Sequence, residues 1–302
     1  MSDTTASLRR KIDSAGDLQS VVRTMKALAA SSIGQYEASV RALADYTRTV
    51  ELGLGACFRA GQPADATTER SRRSEPRAID AVVFGSDQGL VGRFNDVVAE
   101  LAIQTLASRA GKVRFWAVGE RVNERLADAG AVPAGCFEVP SSASAITSLV
   151  GRILVAAERQ RGDAGDIELH LFYNRPASGA AYAAVGQRLL PLNEAWRREL
   201  AARPWPEATL PEIFGGRTAA LRVLVREHLF ISLFRACAES LASENASRLA
   251  AMQRADKNID ELLETLNGSF HRLRQSGIDA ELFDVIAGCE AMSGEKAGTR
   301  QR

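Results

Sequence analysis

Three histidines, four cysteines and one glycine-bearing turn are the residues from which chemistry would have to be built in this 302-residue sequence. His170, His228 and His271 would need to converge with acids or a nucleophile to make a triad or a metal cage. His170 falls in an alternating apolar run and the other two fall in a long helical pattern, so they read as satisfied or solvated side chains. Cys57, Cys136, Cys237 and Cys289 lie far apart without a CxxC pair, which reads as reduced structural thiols rather than metal ligands or a disulfide framework. The sequence has no GxSxG elbow, no P-loop and no GxGxxG fingerprint. What remains is Ser86-Asp87-Gln88-Gly89-Leu90-Val91-Gly92-Arg93-Phe94-Asn95, whose Gly89 and Gly92 give only a GxxG. That spacing reads as a strand-to-helix turn needing glycine dihedrals, with Asn95 near the helix start. No catalytic centre, cofactor site or metal site is therefore expected. The stretch His271-Arg272-Leu273-Arg274-Gln275-Ser276 reads as a solvated helix face, although arginine also suits paired hydrogen bonds to a partner's carboxylates.

The elements that position these residues are punctuated by proline. All nine prolines, from Pro63 to Pro211, lie in the middle of the chain. Proline removes a helix donor and clashes with the preceding turn, so the proline-free ends, 1–62 and 212–302, are predicted to be long helices. From Arg217 to Asn267 there is no glycine either, and a 3-4 alternation runs through Ile231, Phe234, Ala238, Leu241, Asn245, Arg248, Met252, Ala255, Ile259, Leu262, Leu266, Ser269 and Leu273. Asn245 and Arg248 interrupt that seam with polar groups, which points to a register device or to a neighbour other than a simple helix. The N-terminal arm repeats the spacing with Leu18, Val22, Met25, Ala29, Ser32, Tyr36, Ser39, Leu43, Tyr46 and Val50. Asp17 after Gly16 reads as an N-cap or break between a short first helix and the long one, and Gly34 weakens the helix further on. Two such arms can satisfy each other as an antiparallel coiled coil.

Between them, Gly61 to Arg77 is polar, charged and proline-bearing, as a linker is. Strand and helix patterns then alternate: Ile79–Phe84, Asn95–Ser108, Val113–Val118, Arg121–Ala129, Phe137–Val139, Ser144–Glu158, Ile167–Tyr173 and Tyr182–Leu190. This predicts a mostly parallel sheet covered by helices. The fold class is α/β, with a long antiparallel coiled coil of the terminal helices and an inserted Rossmann-like α/β domain. The expected boundaries are 1–60 for the first coiled-coil helix, 61–77 for the linker, 78–211 for the α/β domain, 212–290 for the second helix and 291–302 for a flexible tail. Thirty-eight Lys+Arg against 37 Asp+Glu give a net charge of +1, which offers no global field for nucleic acid or anionic lipid. The polar N-terminus and the lack of an 18-residue apolar run predict a soluble, cytoplasmic chain.

Several motifs, in order along nearly the whole chain, resemble those of the gamma subunits of F-type ATP synthases. Ile12, Ser14 and Gln19 through Met25-Lys26-Ala27-Leu28-Ala29-Ala30-Ser31 are similar to that family's N-terminal IxS…TxKITxAMxMVAAS helix. The Ser86 to Asn95 segment is similar to its (S/T)D(R/K)GLCGG(L/F)N turn, and Leu189-Leu190-Pro191-Leu192 to its LLPL segment. Ala242-Ser243-Glu244-Asn245-Ala246-Ser247-Arg248-Leu249-Ala250-Ala251-Met252, followed by Arg274-Gln275-Ser276-Gly277-Ile278 and Glu281-Leu282, resembles its ASExxARMxAM…RQAxITxEL end. Val91 stands in place of the usual cysteine, Arg93 of a glycine, Ser32 of a lysine, His271 of an asparagine and Asp279 of a threonine. These departures mark a divergent member, with an alternative F-type ATPase lineage open.

The resemblance implies a central-stalk rotor that couples ATP synthesis or hydrolysis in a ring of alpha and beta subunits to ion flow through the membrane sector, without catalysing by itself. It implies one copy per complex, partners that include the epsilon subunit and the c-ring, no nucleic acid, and a peripheral position on the cytoplasmic face of a bacterial plasma membrane. Carried over residue by residue, Met25 and Lys26 would meet the moving part of beta, and Arg274, Gln275 and Asp279 a polar catch in the ring. Trp205 and Glu207 would lie on the c-ring or epsilon side, while Asp87, Gly89, Gly92 and Asn95 shape a turn of the base. Two other readings of the same residues are a nucleotide-dependent α/β enzyme that dimerises through helical arms, and a coiled-coil scaffold.

Overall fold

The computed structural model describes residues 4–60, 78–109, 111–164, 167–177, 180–209, 211–213 and 215–298. The expected linker, 61–77, lies outside them. Two compact units are formed, one of Met1–Ala27 with Met252–Arg302 and one of Leu28–Ala251.

The first unit is made by the two ends of the chain. Helix α1 spans Thr5–Ala42 and helix α7 spans Arg217–Gly298. Thr4 caps α1, its Oγ1 accepting the Ser7 N–H at 3.2 Å. Leu8, Ala15 and Val22 are buried at seven-residue intervals, with half-buried Ile12 and buried Gln19 between them, and Met252 and Ile259 are buried on α7. This is the 3-4 repeat of a coiled-coil seam. Gln19 donates from Nε2 to Asp260 Oδ1. Arg23 Nε donates to Asp256 Oδ1 at 3.2 Å, and Lys26 Nζ lies 2.9 Å from Asp256 Oδ2. Position numbers rise on α1 as they fall on α7, so the ends of the chain run antiparallel.

Several details differ from the sequence expectation; Leu262 and Leu273, placed in the seam by their spacing, are 49% and 37% exposed. Leu18 is 54% exposed and Gln19 takes its seam place, because a stripe anchored on Leu8, Ala15 and Val22 turns Leu18 outward. No break occurs at Gly16–Asp17: α1 runs through both, and also through Gly34. Helix α7 continues to Gly298 rather than stopping at 290, and only 299–302 of the expected tail lie outside the described residues.

In the second unit the α1 stripe continues through Ala29 and Tyr36. Leu43 then separates α1 from α2, Ala44–Arg59. Tyr46 faces outward, donating its hydroxyl to Glu227 Oε2 at 2.6 Å, and half-buried Thr47 takes the inner position. The sheet is built from β1 (Ala78–Phe84), β2 (Lys112–Val118), β3 (Gly135–Phe137), β4 (Ile167–Ala177) and β5 (Ala180–Leu190) in the order β3-β2-β1-β4-β5. Helices α3 (Phe94–Leu106), α4 (Glu120–Asp128) and α5 (Ala143–Ala164) make the crossovers, so β1 to β4 are parallel. Strand β5 is antiparallel to β4, since Ala177 and Ala180 already pair and leave no room for a crossover.

One sheet face packs Val82, Phe84, Leu169 and Leu171 against Ile146, Leu149 and Ile153 of α5, Leu233 and Ala236 of α7, and Tyr36. The other packs Ile79, Val83 and Phe172 against Val98, Ala102 and Leu126 of α3 and α4. Polar Asp80 is tolerated in buried β1 because Arg114, opposite it on β2, makes two bonds to its carboxylate at 2.7 and 3.1 Å. Helix α6 (Glu194–Ala202) lies in a stretch where the sequence patterns place no element. Pro191 and Pro204 stand outside it, and Asn193 caps it by accepting the Ala195 and Trp196 N–H groups at 2.8 and 3.3 Å. It packs on α2 and α7 through Leu200, Leu54, Val50 and Ile231.

Gly55 sits where α2 meets α6, and a Cβ there would stand 2.5 Å from the Leu200 carbonyl oxygen. In an exposed helix Gly→Ala gains about 1 kcal/mol, whereas Gly55→Ala is expected to lose about 1–3 kcal/mol in urea unfolding through forced separation of the helices. In the first unit the Lys26 ammonium, aided by Arg23, holds the Asp256 carboxyl below its ordinary range. A carboxyl with a lowered folded value adds stability above its unfolded pKa, about 3.9, and loses it as pH falls through the folded value. Asp256→Asn should therefore flatten the acid limb of a thermal-stability profile below about pH 4, and high salt should shrink the difference because the pair is partly exposed.

Candidate functional site

The turn after β1 lies where β1 is flanked by β2 and β4, the switch point at which open parallel sheets receive ligands. Here the chain fills that crevice with its own groups. Asp87 accepts the Glu120 N–H at the start of α4 and the Val139 N–H, both at 2.9 Å. The donor that a phosphate would use at that helix start is thus committed to a carboxylate, whose charge repels an anion. Asn95 accepts the Ser86 N–H and donates to Ser86 Oγ, both at 2.9 Å, which closes the turn from the other side. Gly119, at φ +111°, lets β2 pass so close that a Cβ would stand 2.8 Å from the Ser86 backbone. Gly92 and Leu90 take φ values of +61° and +64°, and the Leu90 side chain is exposed at the tip. Gly89 has open space around it.

Beneath this turn passes α7. Ser247 Oγ donates to the Val91 carbonyl at 2.7 Å, Asn174 Nδ2 to the Phe94 carbonyl at 2.9 Å, and Ser243 Oγ to the Asn174 carbonyl at 3.1 Å. The polar seam residues resolve into local pairs. Arg248 Nη2 meets Glu244 Oε1 at 2.6 Å, with side-chain exposures of only 12% and 7%, and Asn245 Nδ2 bonds its own helix at Leu241 O. Burial raises the Glu244 carboxyl pKa, with Asp87 adding to the rise and Arg248 opposing it. Burial also raises Tyr36 and Cys237, and Glu244 contributes to both. A full stripe of hydrophobic side chains would hold α1 to α7 at this level. Instead an ion pair lies within one helix, at the height of the Ser86–Asn95 turn.

In the first unit every residue from His271 to Cys289 is exposed. Ile278, Leu282, Val285 and Ile286 follow i, i+4, i+7, i+8 spacing, and Phe283 stands beside them at 69% exposure. The same spacing is legible in the sequence, interleaved with the polar Arg274-Gln275 and Asp279 positions. Arg274, Gln275 and Asp279 lie on the same helix without a side-chain partner among the described residues. Lys26 is half-buried in its pair with Asp256, a partner that the motif did not name, and Met25 is half-buried beside it. Of the divergent positions, Ser32 bonds the Leu28 carbonyl at 2.9 Å, Arg93 pairs with Glu100 at 3.2 Å, and the exposed His271 ring meets Phe270 edge-on. Glu207 is exposed, whereas Trp205 is half-buried with its indole N–H enclosed. The histidines do not converge: His170 pairs with Glu168 at 2.9 Å, and His228 packs on Trp196. Among the described residues there is no group of three or more metal-ligating side chains, and no helix is long and apolar enough to cross a membrane.

The profile of the family described as ATP synthase matches residues 4–292. The chain is 26% identical over 294 residues to an ATP synthase gamma chain of Syntrophobacter fumaroxidans, covering 94% of this chain and 97% of that one. It is 28% identical over 298 residues to an ATP synthase gamma chain of Chlorobium phaeobacteroides, covering 95% and 98%. Among solved structures, a chain of the Euglena gracilis mitochondrial ATP synthase, in a structure of its OSCP, F1 and c-ring, superposes with a TM-score of 0.63 over 97% of this chain and 95% of that one, at 18% identity. That likeness is one of fold, with long terminal helices and a central mixed sheet in both. With the profile running from the cap of α1 almost to the end of α7, the chain belongs to the ATP synthase family.

Proposed function

We propose that this chain is the gamma subunit, the central-stalk rotor, of an F1Fo ATP synthase or ATPase. It couples ATP synthesis or hydrolysis in the alpha/beta ring to ion translocation through the membrane sector by rotating. The observation that carries this reading is the first unit: the two ends of one chain pair antiparallel, and α7 goes on past half-buried Phe270 with an apolar stripe exposed between 271 and 289. A patch of that kind on a single helix calls for a sleeve supplied by other subunits. Coupling then follows from contact that differs with angle. The apolar stripe, flanked by Arg274, Gln275 and Asp279, lies on one face of this stretch of helix, and the small or acidic Ser276, Ala280, Asp284 and Ala287 lie on the opposite face, so its sides are unlike, and each catalytic subunit it meets is biased toward a different conformation.

The chain hydrolyses nothing by itself in this reading. Support comes from Asp87, whose carboxylate stands in the crevice after β1 and would repel an anion there, and from histidines engaged in separate structural contacts. The same observation weighs against a nucleotide-dependent enzyme, and antiparallel pairing within one chain weighs against a scaffold that dimerises in parallel. Alpha, beta, epsilon and the c-ring are the partners, with one gamma per complex peripheral to the cytoplasmic face of a bacterial plasma membrane. Met25, Lys26, Arg274, Gln275 and Asp279 meet the ring, and Trp205 and Glu207 face the c-ring or epsilon side.

Co-expression with cognate alpha and beta subunits should yield a complex with one copy of this chain whose ATPase activity depends on it; failure to assemble would overturn the proposal. Each large apolar side chain taken out of water contributes about 1.5–3 kcal/mol. The double substitution Leu282→Asp with Phe283→Asp is expected to weaken retention in the ring by roughly tenfold or more, read by size-exclusion of the diluted complex. Helix content by circular dichroism should stay unchanged, since both side chains are already exposed.

A further inference from the structure

We propose that the cavity between the end of β5, the turn into α6 and the start of α7 is a binding site for a phosphate group, carried either by a free phosphate or by an anionic phospholipid headgroup. This goes beyond the rotor reading and does not depend on it. The cavity, of about 610 Å³, lies wholly within the 28–251 unit, and its lining includes Arg109, Arg188, Asn193, Trp196 and His228 but no acid. Arg109, just past α3, has no side-chain partner among the described residues. Arg188 on β5 reaches Glu168 only at 3.9 Å, and the other oxygen of that carboxylate is held by His170 at 2.9 Å. One carboxylate shared at long range leaves positive charge at the cavity wall, and a second guanidinium adds to it.

The remaining polar groups are donors held in place. Asn193 spends its carbonyl oxygen on the α6 N–H groups, which leaves its amide NH2 to donate. His228 is fixed by its packing on Trp196 at 4.5 Å between ring centres. Burial lowers its pKa, with Arg235 acting the same way and Glu51 opposing, so the neutral ring offers one N–H. Two forked guanidinium groups with neutral donors match a phosphate, which carries up to two negative charges and presents several oxygens. A carboxylate would be satisfied by one fork. Leu189, Leu192 and Trp196 supply an apolar wall for whatever the phosphate is attached to.

The test uses the full-length chain at low salt. Inorganic pyrophosphate is titrated calorimetrically, and co-sedimentation is measured with phosphatidylcholine vesicles containing or lacking phosphatidylglycerol. Arg109→Gln is the main variant because no described contact depends on its guanidinium. Arg188→Gln is the second, and Arg198→Gln, which removes an exposed pair with Glu194 on α6, is the control. Thermal melts verify that each variant is folded. Pyrophosphate binding that Arg109→Gln and Arg188→Gln each weaken about tenfold while Arg198→Gln does not would support the site with a free phosphate as its ligand. The same pattern confined to phosphatidylglycerol vesicles would support it with a lipid headgroup. Absence of binding to either probe, or binding equally reduced by all three substitutions or by none, would overturn the proposal.

Discussion

The pairing of the two chain ends is the constraint on which everything else hangs. Leu8, Ala15, Val22, Ala29 and Tyr36 repeat at seven-residue intervals along α1, and a strict seven-residue repeat on a helix of 3.6 residues per turn keeps a seam facing its partner only if the pair supercoils. Small residues at two of these positions let the backbones come close. The polar bonds of Gln19, Arg23 and Lys26 to Asp256 and Asp260 set direction and register more than they add stability, since pairs this exposed contribute little each. Each compact unit holds its own stretch of α1 and of α7.

Within the 28–251 unit the deciding contacts lie at the Ser86–Asn95 turn. Its architecture, a parallel sheet with a glycine-bearing turn at the switch point, is the one that elsewhere holds nucleotides. A few side chains set this turn apart. Asp87 puts negative charge where a phosphate would sit, and hydrogen bonds to a charged group are each worth about 1.5–3 kcal/mol. Asn95, Asn174, Ser243 and Ser247 then tie the turn, the sheet and α7 together through bonds of 2.7–3.1 Å. The buried Glu244–Arg248 pair belongs to the same layer. Its geometry within one helix leaves the seam polar without demanding a charged partner from α1.

Much of this fold is legible in the sequence. Proline placement marks the helical ends, and apolar periods of 2 and 3.6 residues mark most strands and crossover helices. Failures came where a local rule was outvoted. Gly16–Asp17 looks like a helix start, yet α1 passes through it because Ala15 and Gln19 on either side are buried in the seam. Helix α6 is obscured in the sequence by Pro191, Pro204 and Pro206 around it, although Asn193 marks its cap.

The amino-acid sequence alone determined the order and type of the main elements, because apolar periodicity and proline act within a few residues and need no distant partner. It also carried the ordered motifs that relate the chain to its family. Only the tertiary structure decided that Asp256 rather than another acid receives Lys26, that Gln19 displaces Leu18 from the seam, that β5 turns back antiparallel, and that Arg109 and Arg188 line one cavity. Each of these depends on residues far apart in the chain whose distance is set by helix rotation and sheet order, quantities that only the packed whole defines.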